Sequence, residues 1–247
     1  MKQASLTLIF SLVLSFVSGP VFLNAQNAAK KKKAPRKSNP AMQKVEDVAG
    51  LPRVLLVGDS ISIGYTAGVR TLLKGKANVH RPLTNCGPTT RGLTGLNDWL
   101  ATGGEGKKWD VIHFNWGLHD LKYMTTNGKL AKSSTEKGSH QQVAPEDYRK
   151  NLSELVASLK ETGAKLIWRN TTPVPEGAGG RVVGDSVTYN AIAADIMKGN
   201  GIPTDDLYSF VMKHPDYMLK ANVHFTPEGN KALAEQVVAT IEGKLSK

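Results

Sequence analysis

Short runs of apolar residues alternate along this chain with longer stretches in which apolar side chains return every three or four positions. The runs Arg53–Val57, Asn78–Arg81, Asp110–Trp116, Ala164–Asn170 and the brief Ile202–Asp205 have the length and continuity of buried strands. Helical periodicity covers about Ser62–Leu73, Leu93–Leu100, Pro145–Thr162 and Ser186–Met197, and then runs from Pro227 to near Leu245. The last start is marked by its chemistry. Thr226 can cap it, Pro227 suits the first helical position, and Glu228 complements the helix dipole. This alternation predicts a parallel sheet with helices on both faces, the three-layer α/β/α sandwich of the α/β class. In such sheets ligands gather at the carboxyl ends of the strands.

Two segments depart from the pattern. Residues 122–142 are polar and rich in Gly, Ser, Thr and Lys. A loop of that length in a compact domain either serves function or lacks fixed structure, and we read it as a flap on the substrate side. The other segment is the N-terminus. Lys2 precedes an almost wholly apolar stretch, Leu6 to Phe22, which Ser18-Gly19-Pro20 interrupts and Ala25 follows. This is the form of a secretory signal peptide over residues 1–25, with a retained anchor as the alternative. Residues 26–50 are expected to be a basic, disordered linker, because Lys30 to Lys33, Arg36 and Lys37 come with no apolar period. Residues 51–247 are left as the folded domain, secreted or in a periplasmic or extracellular space, with no stable membrane span after cleavage.

Charge narrows the partners. Of the net +11, seven units belong to Lys2 and the six basic residues of 30–37, which leaves +4 for everything else. The domain itself is only mildly basic, so nucleic acid is not an expected partner. The tail suits an anionic surface, lipid head groups or an acidic polysaccharide, or acts as a plain spacer. Roughly 200 residues suffice for one well-packed core. The single cysteine, Cys86, excludes an intrachain disulfide and reads as a small buried residue. No metal or cofactor is expected. Gly177–Gly180 follows two prolines rather than a strand, and neither a phosphate-binding loop nor a His-Glu-x-x-His pair is present. His113, within an apolar run, reads as an interior side chain.

Three segments carry the chemistry. Gly58-Asp59-Ser60-Ile61 follows the first strand and opens a helix, so Ser60 lies on an exposed turn with its amide free to meet a developing negative charge. Gly117-Leu118-His119-Asp120 closes another strand, and Asn222 to Gly229, containing His224, leads into the last helix. A serine, a histidine and a side-chain donor at strand-to-helix junctions are what acyl transfer requires.

At these residues, and over 53–244, the chain resembles the SGNH/GDSL hydrolases, serine esterases on a flavodoxin-like α/β/α fold. The resemblance implies Ser60 as nucleophile and one oxyanion amide, with Asp59 bracing the turn. It implies a second oxyanion amide within Asn85 to Gly92, at Thr90 by count or at Gly87. His119 stands where the family has asparagine, and is expected as the third donor or else as a packing residue. His224 matches the general base, but Ala221 stands where the family has the orienting aspartate. A backbone carbonyl, Asn222 or Asp216 is left to hold the ring. Arg169 and Glu176 are candidate substrate contacts or surface salt-bridge partners. The implied activity is an exported ester hydrolase removing short acyl groups, acetyl above others, from carbohydrate. A lipid or phospholipid acylhydrolase and a noncatalytic glycan-binding module are the alternatives.

Overall fold

A computed structural model describes residues 39–246, so the expected signal peptide and the linker as far as residue 38 lie outside the described residues. From Arg53 the chain follows the predicted alternation. The elements are β1 (Arg53–Val57), α1 (Ser60–Leu72), β2 (Asn78–His80), α2 (Thr89–Leu100) and β3 (Val111–Phe114), then a two-stranded ribbon β4 (Tyr123–Met124) and β5 (His140–Gln141). After it come α3 (Pro145–Glu161), β6 (Lys165–Arg169), α4 (Asp185–Gly199), β7 (Thr204–Asp205), α5 (Leu207–Met212) and α6 (Pro227–Leu245). The main sheet has five strands in the order β2-β1-β3-β6-β7, all parallel. β1, β2 and β3 are buried along their whole length, which is why β1 and β3 are mostly apolar.

The helices cover the sheet as two layers. α1 packs on α6, whereas α2 packs on α3 and α3 on α4. Small residues allow the first contact: a Cβ at Gly68 would come within 2.8 Å of that of Ala234. The core joins Leu55, Leu56, Phe114, Trp116, Trp168 and Tyr189, with Phe114 and Trp168 in edge contact at 5.4 Å. His113 is an interior side chain, its Nε2 2.9 Å from Asp205 Oδ2 across the sheet.

One stretch differs from expectation, and the segment read as a flap has fixed structure. Residues 39–50 are packed against the domain rather than loose: Ala41 is fully buried, and Asp47 meets Arg53, His80 and Lys107 within 3.2 Å. The sequence gives no period there because these contacts are polar and reach distant parts of the chain. Residues 122–142 form a pinned ribbon, with Tyr123 opposite Gln141 and the Tyr123 amide donating to Gly180 O at 2.7 Å. Among the described residues no helix is long and apolar enough to cross a membrane.

Candidate active site

Ser60 is the first residue of α1, and the Asp59 side chain caps that helix by accepting from the Ile61 amide at 3.0 Å. The first-turn amides therefore face the space beyond the end of β1, with the partial positive charge of the helix behind them. Beneath the turn, Arg169 is fully buried. Its Nη2 donates to Asn115 Oδ1 and lies 3.5 Å from Asp59 Oδ1, while Asn115 Nδ2 donates to Arg169 O at 2.7 Å. Cys86 is buried beside them and its amide donates to Gly58 O. Burial pushes its thiol up to about 11, so no thiolate competes with the serine.

His224 comes to Ser60 from the far end of the chain. Its Nε2 lies 2.9 Å from Ser60 Oγ, and its Nδ1 lies 2.7 Å from Asn222 Oδ1. The same oxygen also accepts the His224 backbone N–H at 3.1 Å. This backbone donor fixes the orientation of the Asn222 amide, because the flipped form would set its NH2 against the N–H. Nδ1 consequently carries the proton and Nε2 is free to accept from the serine hydroxyl. A hydroxyl hydrogen-bonded to an oriented neutral imidazole can lose its proton to that ring as it attacks a carbonyl. Asp216 has no place in this arrangement, since both ring nitrogens are occupied. The turn that holds Asn222 is closed by Leu219 N–H to His224 O at 2.9 Å and passes through Ala221 in the left-handed region, φ 51°.

The pair opens into a cavity of about 320 Å³ whose walls include Leu118, His119, Leu130, Arg181 and Val223. His119 is largely buried here, and Lys122 Nζ donates to its Nδ1 at a long 3.4 Å, leaving Nε2–H as the ring's donor. Burial above all, with Lys122, Arg181 and Arg91 adding to it against the pull of Asp59, holds this imidazole down to about 4. At neutral pH it is therefore an uncharged donor, suited to an oxyanion that would otherwise meet water.

Asp120 fastens this wall. Its Oδ1 accepts from the Thr89 amide at 2.8 Å and the Thr89 hydroxyl at 2.6 Å, tying the His119 turn to the start of α2. Its Oδ2 is buried without a partner, and burial raises the carboxyl to about 7. The folded state thus keeps a proton that the unfolded chain releases near 4. The contribution to stability is complete below that value and is lost as pH rises through 7. Asp120→Asn, which cannot ionise, should gain on the wild type by about 2–4 kcal/mol between pH 4 and pH 8. Urea midpoints at the two pH values measure this.

Other expected residues fall elsewhere. Gly87 and Thr90 line an adjoining cleft rather than the Ser60 cavity, and the Gly87 amide is taken by Asn85 Oδ1 at 2.9 Å. The chain turns away at Gly87, φ 63°, so Asn85 is the residue of that block bordering both spaces. With its amide engaged, Gly87 is not a free oxyanion donor. Arg169 is corrected too: it braces Asp59 from inside and does not reach the cavity, because β6 turns it into the core. Glu176 is exposed and is not among the cavity's lining residues. Asn115, Arg181 and Leu130 were not singled out by the sequence. Asn115, one residue past β3, carried the clearest available signal, an asparagine in an otherwise apolar run.

Residues 56–232 match the model of the GDSL-like lipase/acylhydrolase family. Among solved structures, a lipase/acylhydrolase from Enterococcus faecalis superposes with a TM-score of 0.62 at 20% identity, covering 78% of this chain and 97% of that one. The acetyl xylan esterase AlAXEase gives 0.59 at 15% identity, with 76% and 99% covered. A GDSL-like lipase from Bacteroides thetaiotaomicron gives 0.58 at 17%, with 81% and 92% covered. At such identities these structures speak for the fold alone. No curated protein sequence matches the chain.

Proposed function

Because the chain belongs to the GDSL-like lipase/acylhydrolase family and is a carboxylic ester hydrolase, we propose that Ser60 is its nucleophile and His224 its general base. Ser60 Oγ attacks the acyl carbonyl as His224 Nε2 takes the hydroxyl proton. The Ser60 amide and His119 Nε2–H receive the oxyanion. His224 then gives its proton to the leaving alcohol oxygen. Water, deprotonated by the same ring, attacks the acyl-enzyme, and the ring returns that proton to Ser60 Oγ as the carboxylic acid leaves. One observation carries this reading: the 2.9 Å contact of Ser60 Oγ with His224 Nε2, in a ring whose other nitrogen is held by Asn222.

The proposed substrate is a short acyl ester, acetyl above others, on carbohydrate, met outside the cell after removal of a signal peptide. A cavity of about 320 Å³ is small for a long chain, which supports a short acyl group. The basic residues of 30–37 would hold the enzyme near an anionic surface. The competing reading is a lipid acylhydrolase, favoured by the apolar pair Leu118 and Leu130 in the wall. Acetate release from acetylated oligosaccharides, measured beside fatty-acid release from phosphatidylcholine vesicles, separates them. The proposal expects turnover of the first and little of the second; the reverse order would replace carbohydrate with lipid.

A further inference from the structure

Three cations surround His119, and among the described residues none of them forms an ion pair: Arg91, Lys122 and Arg181. Arg181 lines the Ser60 cavity. It is held there by backbone oxygens, Nε donating to Leu118 O at 3.1 Å and Nη1 to Gly179 O at 3.4 Å. Its Nη2 has no hydrogen bond among the described residues. Arg91 and Lys122 line the adjoining cleft of about 610 Å³, which shares Asn85 and His119 with the first. That cleft has no acidic residue in its lining, and in the Ser60 cavity the only acid is Asp59. Asp59 is 2% exposed and engaged by the Ile61 amide and Arg169. Asp120 is buried against Thr89. Neither acid forms an ion pair with the three cations; Asp59 acts on Arg181 and Asp120 on Lys122 only through space. Gathering like charges around a half-buried ring is unfavourable unless something opposite comes to them.

Resting on the Ser60–His224 reading above, we propose that the substrate is an acidic glycan, O-acylated and bearing carboxylate or sulfate groups. His224 must protonate the leaving oxygen, so the alcohol part lies in the cavity that His224 and Arg181 both line. Arg181 meets an oxyanion group on the sugar that carries the ester. Arg91 and Lys122 meet the next along the polymer, in the adjoining cleft. Guanidinium and ammonium donors to such groups form charge-assisted hydrogen bonds, which are stronger than neutral ones and weakened by salt.

The test compares O-acetylated methyl glucuronide with its uronamide, which has the same shape without the charge. O-acetylated methyl glucoside 6-sulfate distinguishes sulfate from carboxylate, and 4-nitrophenyl acetate serves as a reference ester. Wild type should favour at least one anionic sugar over the uronamide by about tenfold or more in kcat/KM, mainly through KM, with the margin shrinking in about 0.5 M NaCl. In Arg181→Gln that ratio should fall toward one. Equal hydrolysis of charged and neutral sugars, with 4-nitrophenyl acetate still turned over, would overturn the charge proposal and leave the esterase intact. If no ester were turned over, the esterase reading would fail. Binding would then decide the charge proposal: the Ser60→Ala chain against the same chain carrying Arg91→Gln and Lys122→Gln, each titrated with acetylated polyuronate. The basic tail is common to both, so weaker binding by the second supports the clefts, and equal binding refutes them.

Discussion

Ser60→Ala is expected to lower kcat/KM toward 4-nitrophenyl acetate by about 10⁴–10⁶-fold, and His224→Ala by a similar factor. The size follows from the geometry. Ser60 Oγ and His224 Nε2 stand 2.9 Å apart, so removing either abolishes the same event, formation of the acyl-enzyme. The two losses should not add. A Ser60→Ala/His224→Ala chain should be about as poor as either single variant, because residues acting as a unit are removed together by the first change. The residual rate would come from binding and from the Ser60-position amide and His119 donors, which need no nucleophile to polarise a carbonyl. Near-native far-UV circular dichroism should accompany the loss, since both side chains sit at the rim of the cavity and neither supports the core. Steady-state kinetics on the three variants checks this.

The second large effect concerns Asn222. Asn222→Ala removes the acceptor for His224 Nδ1–H at 2.7 Å and also releases the His224 amide. The ring can then rotate or take the other tautomer, and kcat should fall by about 10²–10⁴-fold. Asn222→Asp gives a different result. A carboxylate keeps the acceptor and adds a charge that favours the imidazolium formed during attack. Asn222 and His224 are exposed, however, and in high dielectric such a charge is worth about 1 kcal/mol at 4 Å. A rise in kcat of less than about tenfold, sensitive to salt, is therefore expected. An unaltered rate in Asn222→Ala would show that the ring is oriented by something else. Kinetics of the two variants at low and high salt distinguishes these outcomes.

Much of this molecule was legible in its sequence because the deciding interactions are local. Continuous apolar runs fix β1 and β3, and Thr226-Pro227-Glu228 fixes the start of α6. Ser60 and His224 were recognisable because each sits at an element boundary whose chemistry is written in the neighbouring residues. The brief α5 and the ribbon of β4 and β5 were not, since two to six residues are too few for a period to emerge. Arg169 could not be placed either. In the sequence it is a charged residue ending a strand; in the fold it is fully buried between Asp59 and Asn115, two partners far away in the chain. Asn222 shows the intermediate case. Its Oδ1 bond to the amide two residues on is a local turn readable in Asn-x-His, but its grip on Nδ1 depends on the rotamer of His224. The cluster of Arg91, Lys122 and Arg181 was invisible for a simpler reason: Arg91 lies in the first turn of α2 and the other two on separate connections, and only the end of the sheet brings them together.

Activation of Ser60 as a nucleophile by His224 can be read from covalent labelling. The chain would be treated with a fluorophosphonate, which phosphonylates activated serines, and the intact mass and peptide map read afterwards. One adduct per chain is expected, on the peptide containing Ser60, absent from Ser60→Ala and strongly slowed in His224→Ala. An adduct elsewhere, or none in a chain that hydrolyses 4-nitrophenyl acetate, would contradict it.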